Sequence, residues 1–337
     1  MIHGHGDDLY SQKGEIKHNF SSNVYYHGCS DQLKDHLINN MDRIMNYPSP
    51  DANELSIKAA EYYDLSVDQI LFTNGATEAF YLIAQLFRNK RAIIFTPTFS
   101  EYEDACQVHN LETQLISRKE LFSHEFNTDL AFICNPNNPD GEAIELRELQ
   151  EIIQQNPTVN FVIDEAYIEF TTSVTSCFDL LNQFNNIIVV RSLTKTYGIP
   201  GLRLGYLVSN SLLITEIQKG KMPWSVNAMA IASGKYIFDN HSELTFNPKV
   251  LLKEKARFVQ ELSVIDWIKI IPSNTSYFLV ELNKGKASEL KTYLSDKHQL
   301  LVRDATNFKG LEGEFIRLST QSPEANKALI KALKEWK

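Results

Sequence analysis

The chain has 337 residues, enough for about two domains at ~150 residues each. Hydrophobic residues make up 43% and charged residues 22%, which excludes a disordered chain. A net charge of −9 argues against a nucleic-acid coat or an acidic membrane surface as the main partner, although an acidic protein can still hold a basic pocket for a small anion.

The N-terminus, Met1-Ile2-His3-Gly4-His5-Gly6-Asp7-Asp8, has no apolar signal core, and no run reaches the ~18 apolar residues of a membrane span, so a cytoplasmic protein is expected. His3 and His5 form a His-x-His pair without an evident third ligand, and no metal centre is expected. Cys29, Cys106, Cys134 and Cys177 lie far apart and form no CxxC pair, which argues against zinc ribbons and thioredoxin-like motifs. Phe80, Ile83, Ala84 and Phe87 follow helical spacing. Arg91 to Pro97, Leu130 to Cys134, Asn160 to Asp164, Asn186 to Val190 and Leu202 to Val208 read as strands covered on both faces, hence a parallel or mixed sheet. Between them Ile144, Leu146, Leu149, Ile152 and Ile153 form a helical stripe after the Pro139-Asp140-Gly141 turn. Strands alternating with helices predict an α/β domain. Further on, Lys249 to Leu262 and Ala325 to Trp336 read as helices, and Tyr277 to Leu282 and Phe315 to Ser319 as strands of a smaller α+β domain. The expected division is an arm and part of the small domain over 1–45, a large domain over 46–235 and a small domain over 236–337. The first 45 residues are expected to pack with the small domain.

Ligands of open α/β sheets sit beyond the carboxyl ends of the strands. Asn74-Gly75-Ala76-Thr77-Glu78 opens a helix whose first N–H groups could face an anion, although a Gly-containing cap needs no ligand to explain it. Asp164 and Glu165 end a strand. A magnesium role would need a GxxxxGK[ST] loop, which is absent, leaving a turn-capping acid or a partner for a ring nitrogen. Asn135-Pro136-Asn137-Asn138-Pro139 is either a turn-rich loop or the source of an Asn donor. Arg191-Ser192-Leu193-Thr194-Lys195-Thr196, with Arg203 shortly after, offers hydroxyls, an amine and a guanidinium. A pyridoxal phosphate enzyme needs a lysine for the cofactor aldehyde, an acid for the ring nitrogen, an aromatic ring to stack and a helix N-terminus for the phosphate. All four are present if Tyr102 is the aromatic, although alone it reads as a packing tyrosine.

This set resembles the fold-type I pyridoxal phosphate enzymes of the aminotransferase class I/II family over nearly the whole chain. The run from Arg191 to Lys195 and the run Ile199 to Tyr206 look most like the threonine-phosphate decarboxylases of the cobalamin pathway, with histidinol-phosphate aminotransferases as the sister group. Pro97 to Tyr102, Pro223 to Asn227 and Val302 to Asp304 agree. The resemblance implies a large domain with a mostly parallel sheet flanked by helices, a smaller α+β domain, pyridoxal 5'-phosphate and a homodimer. It implies Lys195 as the lysine that bonds the cofactor, Asp164 against the ring nitrogen, and Tyr102 stacked on the ring. Asn138 and Tyr167 would face the phenolate oxygen. Gly75, Ala76, Thr77, Ser192, Thr194 and Arg203 would hold the phosphate, with Tyr47 reaching across from the neighbouring subunit. Arg317 would bind the substrate carboxylate, and Arg303, His5, Asn23 and Asn138 the rest of a small phosphorylated amino acid.

Asp7 stands where the family's arm has a second glycine, and Asp140 where it usually has threonine, the latter expected to matter less. The implied reaction is decarboxylation of L-threonine O-3-phosphate to (R)-1-aminopropan-2-yl phosphate. The alternative is transamination of histidinol phosphate or a related amino acid. A cofactor-binding regulator is a third class, and the lack of a basic stretch or an added DNA-binding module argues against it.

Overall fold

The computed structural model describes residues 6–12 and 14–336. In chain order it begins with β1 (His18–Asn19), α1 (Asp31–Asn39) and α2 (Asn53–Tyr63). There follow β2 (Ile70–Asn74), α3 (Gly75–Leu86), β3 (Arg91–Thr96), α4 (Glu101–Val108), β4 (Glu112–Ser117), β5 (Leu130–Cys134), α5 (Leu146–Gln155) and β6 (Asn160–Asp164). Next come β7 (Ile187–Ser192), α6 (Leu193–Thr196), β8 (Leu204–Val208), α7 (Ser211–Gln218), α8 (Ala228–Asp239), α9 (His241–Leu244) and α10 (Pro248–Leu262). The C-terminal part holds β9 (Ile268–Ile270), β10 (Tyr277–Leu282), α11 (Ala287–His298), β11 (Leu300–Leu301), β12 (Arg303–Asp304), β13 (Phe315–Ser319) and α12 (Pro323–Glu335).

The large sheet has the order β2-β8-β7-β6-β5-β3-β4. It is parallel except at β8, which runs antiparallel to both β2 and β7. Its apolar runs serve two cores. Ile187 and Val189 point to one face and Ile188 and Val190 to the other, as the two-residue strand period requires. Helices cover both faces, which is why these strands lack a polar side.

A second sheet, β12-β13-β10-β9, is antiparallel and packs with α10 and α12 around Phe258, Phe278, Ile316 and Leu329. The fold is therefore a mostly parallel, helix-covered sheet with a separate antiparallel sheet.

The first 45 residues divide instead of packing together with the C-terminal part. β1 pairs with β11, and Phe20 enters the C-terminal core. α1, by contrast, lays Leu33 and Leu37, an i, i+4 pair, against the large core, with His36 stacked on Tyr236 of α8 at 4.2 Å. α8 itself runs past the expected boundary at residue 235. Ile144 precedes α5 and is fixed in a loop, exchanging two backbone bonds with the Asn135 side chain.

Two neighbouring strand ends are joined by buried ions. Arg191 on β7 pairs with Glu165 just beyond β6 (2.9 Å) and with Glu169 (2.7 Å). Its guanidinium also lies 4.7 Å over the Phe178 ring. Glu165 further accepts the Cys177 N–H and the Ser176 hydroxyl. Arg191→Leu leaves two acids without their cation in an apolar setting, so the unfolding free energy falls by about 3–5 kcal/mol. Urea titration checks this, with the half-exposed pair Lys235–Glu54 as a control worth about 0.5 kcal/mol.

Candidate active site

The carboxyl ends of β5, β6 and β7 converge on one cavity. Asp164 closes β6, Asn138 follows β5, and Ser192 ends β7 just before the single turn of α6 that carries Lys195. Parallel pairing sets Asp164 opposite Val190, which brings the two functional segments side by side.

The opposite wall is the start of α3. Asn74 does not cap this helix with its side chain, and Ala76 and Thr77 line the cavity with first-turn N–H groups. Gly75 is required here. Its φ is +76°, and a β carbon would stand 2.5 Å from a guanidinium nitrogen of Arg203. The glycine thus lets Arg203 close on the helix N-terminus. With Ser192 and Thr194, the corner forms a donor set for a phosphate.

Asp164 is buried and receives three neutral neighbours. The Ala166 N–H donates to Oδ1 at 3.0 Å, the Tyr102 hydroxyl donates to Oδ2, and the Cys134 sulfur lies 3.9 Å from Oδ2. Burial pushes its carboxyl up to about 6, against the pull of these donors. Lys195 is displaced in the same way by burial, reinforced by Arg203 and Arg317, and its ammonium falls to about 8 with Asp7 and Asp164 opposing. Burial raises the Tyr167 phenol to about 12. A phosphate cradle, a lysine whose ammonium is lowered to about 8, a buried acid and the Asn138–Tyr167 pair fit pyridoxal phosphate group by group.

A second cavity shares Phe99 and Asn138 with the first. Its defining feature is a pair of buried arginines. Arg303 and Arg317 face each other in register across β12 and β13. Like charges directly opposite on a sheet repel, and their protein partners are neutral. Arg317 donates to Asn138 Oδ1 and to the Ser21 carbonyl (2.7 Å), and its Nε has no hydrogen-bond partner. Arg303 donates to Asn307 Oδ1 (2.7 Å) and to the Asp304 carbonyl, 5.4 Å from the centre of the Phe308 ring. Burial and Arg317 lower Arg303 to about 10. Asn23 is buried and lies against the Tyr167 phenol. The two guanidiniums make a site suited to an anion.

One expected placement changes. Tyr102 does not line the cofactor cavity. Its ring is fully buried, stacked on Phe132 at 5.2 Å, because Tyr102, Ala105 and Cys106 form the buried face of α4. Phe99, three residues beyond β3, lines the cavity together with Phe80 and Tyr167. Tyr47 is 88% exposed beside Trp224 and reaches neither cavity of its own chain.

Asp140 is more than a turn residue. It is half-buried, accepts Asn137 Nδ2 (2.9 Å) and the Glu142 N–H (3.0 Å), and thereby braces the loop that carries Asn138. His5, with His3, lies outside the described residues. Gly6 lines the arginine cavity, and Asp7 adopts φ +65°, held by the Asn19 side chain at 2.6 Å.

A sheet of this topology with this donor set defines a cofactor-dependent enzyme of the α/β class. The aminotransferase class I and II family model matches residues 15–333, and the chain belongs to that family of pyridoxal phosphate enzymes. Threonine-phosphate decarboxylase of Salmonella typhimurium is 32% identical over 94% of this chain and 90% of its own length. Histidinol-phosphate aminotransferase of Thermoanaerobacter pseudethanolicus is 31% identical over 90% of each chain. Among solved structures, L-threonine-O-3-phosphate decarboxylase from Porphyromonas gingivalis superposes with a TM-score of 0.90 at 38% identity, covering 94% of this chain and 98% of that one.

The depressed Lys195 ammonium has a measurable consequence. Only the free amine attacks an aldehyde, so capture of pyridoxal phosphate by cofactor-free protein speeds up with pH around a midpoint of about 8 and levels off above it. Stopped-flow absorbance follows the rate, and borohydride trapping with peptide mass analysis is expected to place the label on Lys195 and to find none in Lys195→Arg.

Proposed function

We propose that the enzyme decarboxylates L-threonine O-3-phosphate to (R)-1-aminopropan-2-yl phosphate, the chemistry named for two of its relatives. The observation that carries this reading is the pair of buried arginines with neutral partners facing one cavity. Phosphothreonine has two anionic ends, and histidinol phosphate has one.

Arg203, Ser192, Thr194 and the α3 N-terminus would hold the cofactor phosphate, Asp164 its ring nitrogen, and Asn138 and Tyr167 its phenolate oxygen. Phe99 is assigned to the ring face in place of Tyr102. When bound, the cofactor supplies an aldehyde for the substrate amine and a ring that accepts the electrons of a bond broken at Cα. Arg317 and Arg303 hold the carboxylate and the phosphate. This orientation selects the Cα–carboxylate bond for cleavage. Carbon dioxide leaves, its bonding pair stays behind, and Lys195 delivers a proton from Nζ to Cα. His5 and Asn23 are assigned to the substrate's phosphate end.

The second reading is transamination, favoured by the 31% identity to a histidinol-phosphate aminotransferase. There Lys195 would move the Cα proton, and the same anion sites would serve a dicarboxylic acceptor. Incubation with L-threonine O-3-phosphate separates the two. Carbon dioxide released without a keto acid supports the decarboxylase. No release, with amino transfer from histidinol phosphate to 2-oxoglutarate, supports the aminotransferase. In the decarboxylase, Arg317→Ala lowers kcat/KM by about 10²–10³, and Arg303→Ala acts mainly through KM.

We assign a homodimer in which Tyr47 reaches the neighbour's cofactor phosphate. Met41, Ile44, Met45, Tyr47 and Trp224 are exposed on this part of the chain, which suits a covered face. Sedimentation is expected to give twice the chain mass, and an active monomer would remove the role of Tyr47. Among the described residues no helix is long and apolar enough to cross a membrane. A cytoplasmic location is part of this proposal.

A further inference from the structure

Tyr102 is left over by the site as described: it is fully buried and lines neither of the two cavities, yet its hydroxyl ends on Asp164 Oδ2. Its ring is fixed on two sides. Phe132 stacks on it at 5.2 Å and 14°, and Phe80 meets it edge-on at 4.8 Å and 81°. The ring therefore cannot swing, and the direction of its O–H is set by the core. The phenol stays protonated because burial and the adjacent Asp164 both disfavour its anion, so it is always the donor of this pair.

The other neighbours of Asp164 divide the work. Oδ1 is held by the Ala166 N–H. The Cys134 thiol donates to the Pro136 carbonyl at 3.3 Å, which leaves Tyr102 as the hydroxyl donor to Oδ2. Burial favours a proton on Asp164, opposed by the nearby Lys195 charge and by its hydrogen-bond donors. A donor to the anionic form also fixes the plane of the group.

We propose that Tyr102 is a positioning residue. Through its hydrogen bond it keeps Asp164 ionised and aimed into the cavity, so that Asp164 can face the protonated ring nitrogen of the cofactor. This rests on the assignment of Asp164 to that nitrogen and is independent of which substrate the enzyme takes.

A double-mutant cycle tests it, with the pyridoxal phosphate dissociation constant measured by dialysing holoenzyme against graded cofactor. Tyr102→Phe keeps the ring packing and removes the donor. It is expected to weaken cofactor binding about tenfold and to shift the pH titration of the cofactor's absorbance, with little change in the melting temperature. In an Asp164→Asn background the same change is expected to cost nothing further. An unaltered dissociation constant in Tyr102→Phe, or a full additional loss in the double variant, overturns the proposal. Asp164→Asn that binds cofactor as well as the parent overturns the underlying assignment instead, so the two failures are distinguishable. Should Tyr102→Phe not fold, difluorotyrosine placed at 102 gives a stronger donor of nearly the same shape. Tighter cofactor binding then supports the proposal, and unchanged or weaker binding overturns it.

Discussion

Among the described residues Asp164, Arg303 and Arg317 are buried in the cleft with neutral hydrogen-bond partners and no ion pair, and the surrounding structure is arranged around that constraint. Asp164 meets a phenol, a backbone N–H and a thiol. Arg303 and Arg317 meet amides and carbonyls. Elsewhere this chain pairs its buried ions, Arg191 with two glutamates and Arg118 with Glu142. An unpaired buried charge opposes folding. That three of them gather at the carboxyl ends of one sheet and the facing edge of another marks where charged ligands complete the protein.

The scaffold supplies the rigidity such a site needs. β6 and β7 lie at the centre of the large sheet with apolar side chains on both faces. Their ends are tied together by Arg191 and Glu165, the residues four before Lys195 and one after Asp164. The amine and the acid therefore sit on segments that share one ion pair. On the other side Asp140 and Tyr277 grip the loop of Asn138: Asp140 holds the Asn137 side chain, and the Tyr277 hydroxyl donates to the Asn137 carbonyl at 2.9 Å. A loop rich in turn formers is in this way held almost as firmly as the strands.

The sequence was most legible where physics is local. The apolar runs of β3, β5, β6, β7 and β8 announce strands buried on both faces; the β5, β6 and β7 runs lead into polar groups of the cleft, and the antiparallel β8 starts from one, Arg203. β4 was not readable because its Glu-Thr-Gln-Leu-Ile-Ser run lies at the sheet edge, where polar side chains are tolerated. α1 was misassigned because its apolar pair Leu33 and Leu37 does not reveal which of two cores it meets. The exchange of Tyr102 for Phe99 was decidable in principle. Tyr102, Ala105 and Cys106 carry the i, i+3, i+4 signature of a core face, whereas Phe99 stands three residues beyond the strand. The bracing role of Asp140 is not legible locally, because its partners Asn137 and Glu142 are fixed only in the folded turn. The confrontation of Arg303 with Arg317 was unreadable, since it depends on the register between strands with a loop between them.

That confrontation also couples the two cavities. Arg317 stands close enough to Lys195 to help lower its ammonium, and it acts in the same direction on the phenol of Tyr167. A carboxylate seated on Arg317 cancels part of that field. Lys195 then retains a proton at a higher pH than it does without the anion. The same amine must be unprotonated to engage an aldehyde and protonated to deliver a proton to Cα. In the proposed reaction, a carboxylate on Arg317 would therefore favour the protonated state of Lys195.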